Sequence, residues 1–229
     1  MEEEDEIDAG GQALALENEP DPVAEGGPEQ EPRPQDLDEE TRRRRAEALA
    51  QVVQYGDPVL KSRASNVTVF DQALIEEVER MIGLMRDGLG VGLAANQVGR
   101  LRRLLVFQSN ADAIPQALVN PEIEWLSEET EPMIEGCLSI PRVVVEVERP
   151  VHARVSGRDH AGEPVMIEAS GYEARILQHE IDHLDGVLIL DRTARSERRG
   201  ALKALRRGES YPPPPPEDLE DFEETEDNE

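Results

Sequence analysis

Sulfur is scarce in this chain. Of 229 residues one is cysteine, Cys137, so no disulfide can close within it. A reducing compartment, the cytoplasm, is therefore the expected location. No apolar run comes near the roughly 18 residues a membrane span needs. The first residues are acidic and contain no apolar stretch, so no secretory signal is expected, and no internal repeat is visible. Basic residues are nearly missing from both ends. Residues 1–40 carry 16 Asp/Glu against one Arg, and residues 209–229 carry 10 Asp/Glu and no Lys or Arg. The formal charge of −27 is thus concentrated at the ends, because 41–208 holds 25 acidic and 23 basic residues.

The ends are also poor in apolar residues and cannot bury enough surface to offset the entropy of ordering. Segments 1–44 and 209–229 therefore read as disordered acidic tails. The second is Pro-rich, and Pro212–Pro216 reads as extended polyproline. A docking or regulatory segment is the alternative reading of either. Between them, 45–208 is one domain, long enough for a real core.

Along that domain, Thr41 to Ala50 reads as a short leading helix. Asp71 to Arg86 is predicted helical, with Leu74, Val78, Met81, Ile82 and Met85 on one face, Asp71 as cap, and Gly88 and Gly90 as stops. Short Val/Ile-rich strands are expected at Leu104–Phe107, Ile123–Leu126, Val143–Val147, Val151–Val155 and Val165–Ile167. A second helix is expected from Tyr172 to Leu184, closed by Gly186, and a last one over Ser196 to Arg207. Helix, strands, helix predicts α+β, with small mixed or antiparallel sheets around a central helix.

That central helix contains His179-Glu180-Ile181-Asp182-His183. Two histidines four apart share one helical face and can reach one metal ion. Tyr172, Ile176 and Glu180 fall on the same face. Leu177, Ile181 and Leu184 look like core, while Arg175, Gln178, Asp182 and Asp185 look solvated. A metal needs a third ligand and an open position for water. No histidine follows His183, and His152 and His160 lie in the strand region, where surface or structural roles suit them better. Cys137 is left. An inert buried thiol is the plain reading, but a two-histidine helix lacking one ligand favours a metal thiolate.

Three segments then match a known family. Gly90-Val91-Gly92-Leu93-Ala94-Ala95-Asn96-Gln97, Glu135-Gly136-Cys137-Leu138-Ser139 and Gln178-His179-Glu180-Ile181-Asp182-His183-Leu184-Asp185-Gly186 occur in that order. Over about Gln51 to Thr193 the chain resembles peptide deformylase. The resemblance implies a cytoplasmic amidase that removes the formyl group from N-formylmethionyl peptides. It implies Cys137, His179 and His183 as ligands of ferrous iron (Fe2+), with zinc, nickel or cobalt (Zn2+, Ni2+, Co2+) as substitutes. Glu180 would be the acid/base, and Gln97 with the Leu138 backbone N–H would face the oxyanion. Gly92 would pair with the substrate backbone, and Val91, Tyr172 and Ile176 would line the methionine pocket.

The stretch from Cys137 to Pro150 is shorter than in many members, and Arg142 stands nearest to an arginine they often carry. The acidic ends are not a family feature. The basic segment 192–207 reads as a solvated helix, or as a contact for ribosomal RNA as in some members. Neither a membrane nor DNA is an expected partner. Two other readings stay open: an endopeptidase with a third ligand such as Glu197, and an inactive relative acting through its tails.

Overall fold

The computed structural model describes residues 37–110 and 113–212. The expectations for 1–36 and for 213–216 onward lie outside the described residues. The chain opens with α1 (Glu39–Leu49), capped by Asp38, whose carboxylate accepts from Thr41 N–H. The helix crosses the 44/45 boundary drawn from charge alone, because a capping aspartate and two first-turn glutamates favour a helix start there. At the other end Tyr211 packs into the domain, so residues 209–212 belong to the fold and not to the tail.

Next comes α2 (Gln72–Asp87), capped by Asp71. Strands β1 (Gly92–Ala94), β2 (Leu104–Phe107) and β3 (Gln116–Leu126) follow, then β4 (Thr130–Gly136), β5 (Val144–Pro150), β6 (His152–Arg158) and β7 (Pro164–Ser170). The chain closes with α3 (Gly171–Leu184), α4 (Ile189–Arg192) and α5 (Arg195–Arg207). The architecture is α+β with antiparallel sheets. One sheet has the order β1-β2-β3-β6-β7, and β4 pairs with β5 in a separate hairpin.

Period-two alternation in β2 sorts its side chains. Leu104 and Val106 meet α1 and α2, while Leu105 and Phe107 meet α3. The sheet is therefore covered on both faces here. In β3 the register shifts around Asn120-Pro121, and Asn120 takes a positive φ of 51°. A proline is tolerated there because a bulge removes the need for its missing N–H. The Asn120 amide also clamps both backbone groups of Val67, at 2.7 and 2.9 Å.

Helix α3 has two covered flanks. Ala174, Leu177, Ile181 and Leu184 pack on the large sheet. The opposite flank corrects the expectation of solvent. Arg175, Gln178 and Asp182 are buried, and only Asp185 is exposed. The β4–β5 hairpin covers them and supplies polar partners: Gln178 donates to the Pro150 carbonyl at 2.9 Å, and Arg175 to the Glu131 carbonyl at 2.6 Å. No helix among the described residues is long and apolar enough to cross a membrane.

Candidate metal centre

Two elements meet at the site. Helix α3 brings His179 and His183 one turn apart, and the β4–β5 loop brings Cys137 onto them. Cys137 Sγ lies 3.3 Å from His183 Nε2, which lies 3.2 Å from His179 Nε2. The three donor atoms fall within 4.8 Å of one another. Ligands on a tetrahedral ion at bond lengths near 2.0–2.3 Å stand roughly 3.5 Å apart, so the spacing fits one cation. The second nitrogen of His179 supports the same reading. Its Nδ1 pairs with Glu135 Oε2 at 2.9 Å, which fixes the ring and leaves Nε2 as the nitrogen that a cation would engage on losing its proton. Sulfur with two imidazoles suits iron or zinc better than magnesium or calcium. Glu197, the alternative third ligand, instead accepts from the Tyr211 hydroxyl at 3.2 Å.

Glu135, two residues before Cys137, has a role that its motif does not reveal. It is 6% exposed and anchors a buried charge network. Arg149 donates to it at 2.6 and 3.0 Å and Arg175 at 2.7 Å. Arg149 also reaches Asp182 at 2.8 Å, and Arg192 donates to Asp182 at 3.0 Å. Sequence reading missed these partners because the two carboxylates and three arginines lie far apart along the chain. An arginine and an aspartate on the helix face turned away from the core stripe were the available signal.

Charge in the site follows from burial and these neighbours. Burial opposes charge on His179, yet the Cys137 sulfur and the Glu135 carboxylate outweigh it and hold the ring well above the usual imidazole range. Burial, then the neighbouring His179, holds His183 well below that range. Burial works against the Glu135 anion, but His179 and Arg149 bind it and keep its pKa far below the carboxylate range. At Glu180 burial outweighs the pull of His179, Arg149 and a backbone bond from Ala94, and pushes the carboxyl up to about 7.

A cleft opens over these groups. Its floor is Cys137, His179 and Glu180, and its walls include Val91, Gly92, Leu138, Tyr172 and Ile176. Ile134, exposed on β4, forms part of the rim. Gln97 also lines it; His183 sits behind, 1% exposed. Gln97 Oε1 accepts from the Ala94 N–H at 2.8 Å, which fixes the amide so that Nε2 points toward Cys137 Sγ at 3.7 Å and Ser139 Oγ at 3.3 Å. Arg142 does not face this cleft. It lines a second one beside α5.

The glycines have steric reasons. A Cβ on Gly92 would run into the Glu180 carboxylate, and one on Gly90 would come within 2.9 Å of Leu138 Cδ1. If Glu180 is the acid/base the resemblance implies, Gly92→Ala should displace it and lower kcat by about 10²-fold, as misplacing a reacting group by an ångström does. Thermal unfolding should shift little. An unchanged kcat would show that the carboxylate does not need this space.

A histidine pair on one helix, a converging sulfur and a buried carboxylate beside them in an apolar-walled cleft are the arrangement a metal-dependent hydrolase needs. Comparison with known proteins gives the family. The polypeptide deformylase model matches residues 49–199. Peptide deformylase 1 of Corynebacterium glutamicum is 47% identical over 161 residues, covering 69% of this chain and 95% of that one. The crystal structure of the Thermotoga maritima peptide deformylase superposes with a TM-score of 0.61 at 48% identity, covering 62% of this chain and 96% of that one. The Synechococcus elongatus peptide deformylase, solved in complex with actinonin, gives 0.65 at 40% identity, covering 69% and 86%. The chain belongs to the peptide deformylase family, hydrolases that remove the N-formyl group from new polypeptides.

Proposed function

We propose that formyl hydrolysis here is carried by Glu180 beside a cation on Cys137, His179 and His183, with formate released into the cytoplasm. The native ion is ferrous iron, and zinc, nickel or cobalt can replace it. The observation that carries the reading is the convergence of one sulfur and two ring nitrogens within 4.8 Å, beside a buried carboxylate whose Oε2 has no hydrogen-bond partner among the described residues. A divalent cation held there supplies Lewis acidity, acidifying water and polarising a carbonyl.

The chain's own groups do the rest. Glu180 Oε2 is buried without a hydrogen-bond partner among the described residues, free to take the proton of the attacking water and return it to the departing amine. Gln97 Nε2, locked by the Ala94 bond, and the Leu138 N–H stabilise the oxyanion. Val91, Tyr172 and Ile176 give the methionine side chain an apolar wall. Gly92 lies on β1, an edge strand, so its backbone is available to an extended peptide. In this reading α3 is the element that carries the chemistry, with the sheet on one flank and the hairpin on the other.

Cys137→Ala tests the donor set. Tightly bound metal and formate release should both be lost, with metal content read by elemental analysis after anaerobic purification. A variant that keeps one equivalent of metal would mean that another group completes the site, as the endopeptidase reading requires.

The exposed basic side of α5 supports a second, separate role, contact between segment 192–207 and ribosomal RNA. Three of its arginines are already engaged, Arg192 by Asp182, Arg198 by Asp191 at 3.4 Å and Arg207 by Glu209 at 3.9 Å, so the free charge among the described residues lies at Arg195, Arg199, Lys203 and Arg206. Arg199→Glu with Arg206→Glu should weaken co-sedimentation with ribosomes by about tenfold at low salt. Unchanged co-sedimentation would retire this role and leave the deformylase reading intact.

A further inference from the structure

We propose that the acidic C-terminal segment, residues 213–229, docks onto the basic stripe of α5 in the same chain. The stripe is read from the helix geometry. Arg195, Arg199, Lys203 and Arg206 recur at helical spacing along α5 and are all exposed. Among the described residues no acidic side chain pairs with any of the four, whereas Arg198 and Arg207 have carboxylate partners. Four cations in a row with no acidic partner among the described residues are unusual in a chain of net charge −27.

The chain's exit point faces that helix. Tyr211 is tied to the β4–β5 loop by two backbone bonds of 2.9 Å, its N–H to Arg142 O and its carbonyl to Val144 N–H. Its ring lies where a side chain on Gly200 of α5 would be. Everything after Pro212 therefore starts against α5. An extended polyproline run of five residues, the number at 212–216, spans roughly 15 Å. Helix α5, 13 residues long, extends about 20 Å. The following residues, 217–229, thus reach the stripe without excess chain.

Composition matches at both ends of the contact. Residues 217–229 hold nine Asp/Glu and no Lys or Arg, with Leu219 and Phe222 as their apolar side chains. Beside the stripe, half-buried Leu202 and Leu205 line a cleft with Tyr55, Pro141, Arg142 and Arg206. Leu219 and Phe222 occupy that cleft while the carboxylates meet the stripe. Tethering makes weak exposed pairs effective, because the segment's local concentration reaches the millimolar range. The docked segment covers the surface a polyanion would use, so the contact is self-screening.

The chain's lysine content provides the test. It has two lysines, Lys61 and Lys203, and Lys61 is paired with Asp191 at 2.6 Å. Zero-length carbodiimide cross-linking of the dilute, full-length, metal-loaded protein should join Lys203 to a carboxylate in 217–229 within one chain. Leu219→Ser with Phe222→Ser, and separately Arg199→Glu with Arg206→Glu, should each cut that yield at least about fivefold while melting temperature stays constant. Absence of the Lys203 product would overturn the proposal, as would a yield unchanged in both variants. A Lys203 link to residues 1–36 would give the stripe to the other acidic end. Links formed only between isotope-labelled and unlabelled copies would make the contact intermolecular. Either result also overturns it.

Discussion

Glu180→Gln is expected to lower kcat for formate release by at least about 10³-fold while leaving the metal in place, as befits loss of a positioned acid/base. The substitution is close to isosteric, and Oε2 has no hydrogen-bond partner among the described residues to lose. Stability should move in the opposite direction. In the metal-free protein burial raises Glu180 from 4.5 to about 7. The folded state then holds a proton between those values that the unfolded chain has released, so stability falls as pH rises from 4.5 to 7. A neutral glutamine removes that penalty, which is on the order of 3 kcal/mol. The metal-free variant should therefore melt higher than the parent at pH 7. In the loaded enzyme a nearby cation favours the anion and draws the pKa down. The acid limb of kcat/KM should then fall tenfold per pH unit, with a midpoint between 4.5 and about 7. A variant that lost activity and stability together would point to a structural role for Glu180.

The convergence of the three donors was legible because few side chains bind soft cations and the spacing of the histidines is set by helix geometry. His179, Glu180 and His183 need only the helical repeat, and Cys137 is the single thiol in the chain. The helix Gln72–Asp87 was legible for a local reason too, since an aspartate cap and a five-residue apolar stripe mark it. Strand β4 was not. Its sequence Thr-Glu-Pro-Met-Ile-Glu-Gly lacks alternation because most of its side chains are exposed on a two-stranded hairpin. Strand β1 is three residues long and fully buried, too short to show a period. Arg175, Gln178 and Asp182 were misjudged because their polarity was read as contact with water. In the fold it is contact with other polar groups, 28 to 44 residues away for Arg175 and Gln178. Periodicity separates polar from apolar faces, but it cannot say which polar face will be covered.

That covered face makes Glu135 the most sensitive position outside the donor set. Two guanidinium groups bind one carboxylate there, and its other oxygen holds His179 Nδ1. Removing the negative charge leaves Arg149 buried with Asp182 as its remaining anion and Arg175 buried with backbone carbonyls alone. Breaking a buried pair from one side costs about 3–5 kcal/mol, because the partner charge stays out of water. Glu135→Gln should show that loss in denaturant unfolding at pH 7. Its folded pKa is depressed, so the wild-type contribution is present above 4.5 and fades as pH falls toward the folded value. The gap between wild type and variant should narrow accordingly in acid. Metal affinity should fall about 10–100-fold, because the His179 ring loses the anion that orients it. Glu135→Asp separates the two effects. It restores the charge but is one methylene too short to serve both arginines and the imidazole, so it should recover more stability than metal affinity. If metal affinity is wild-type in both variants while stability falls, Glu135 holds the hairpin to α3 and has no part in setting the His179 ring.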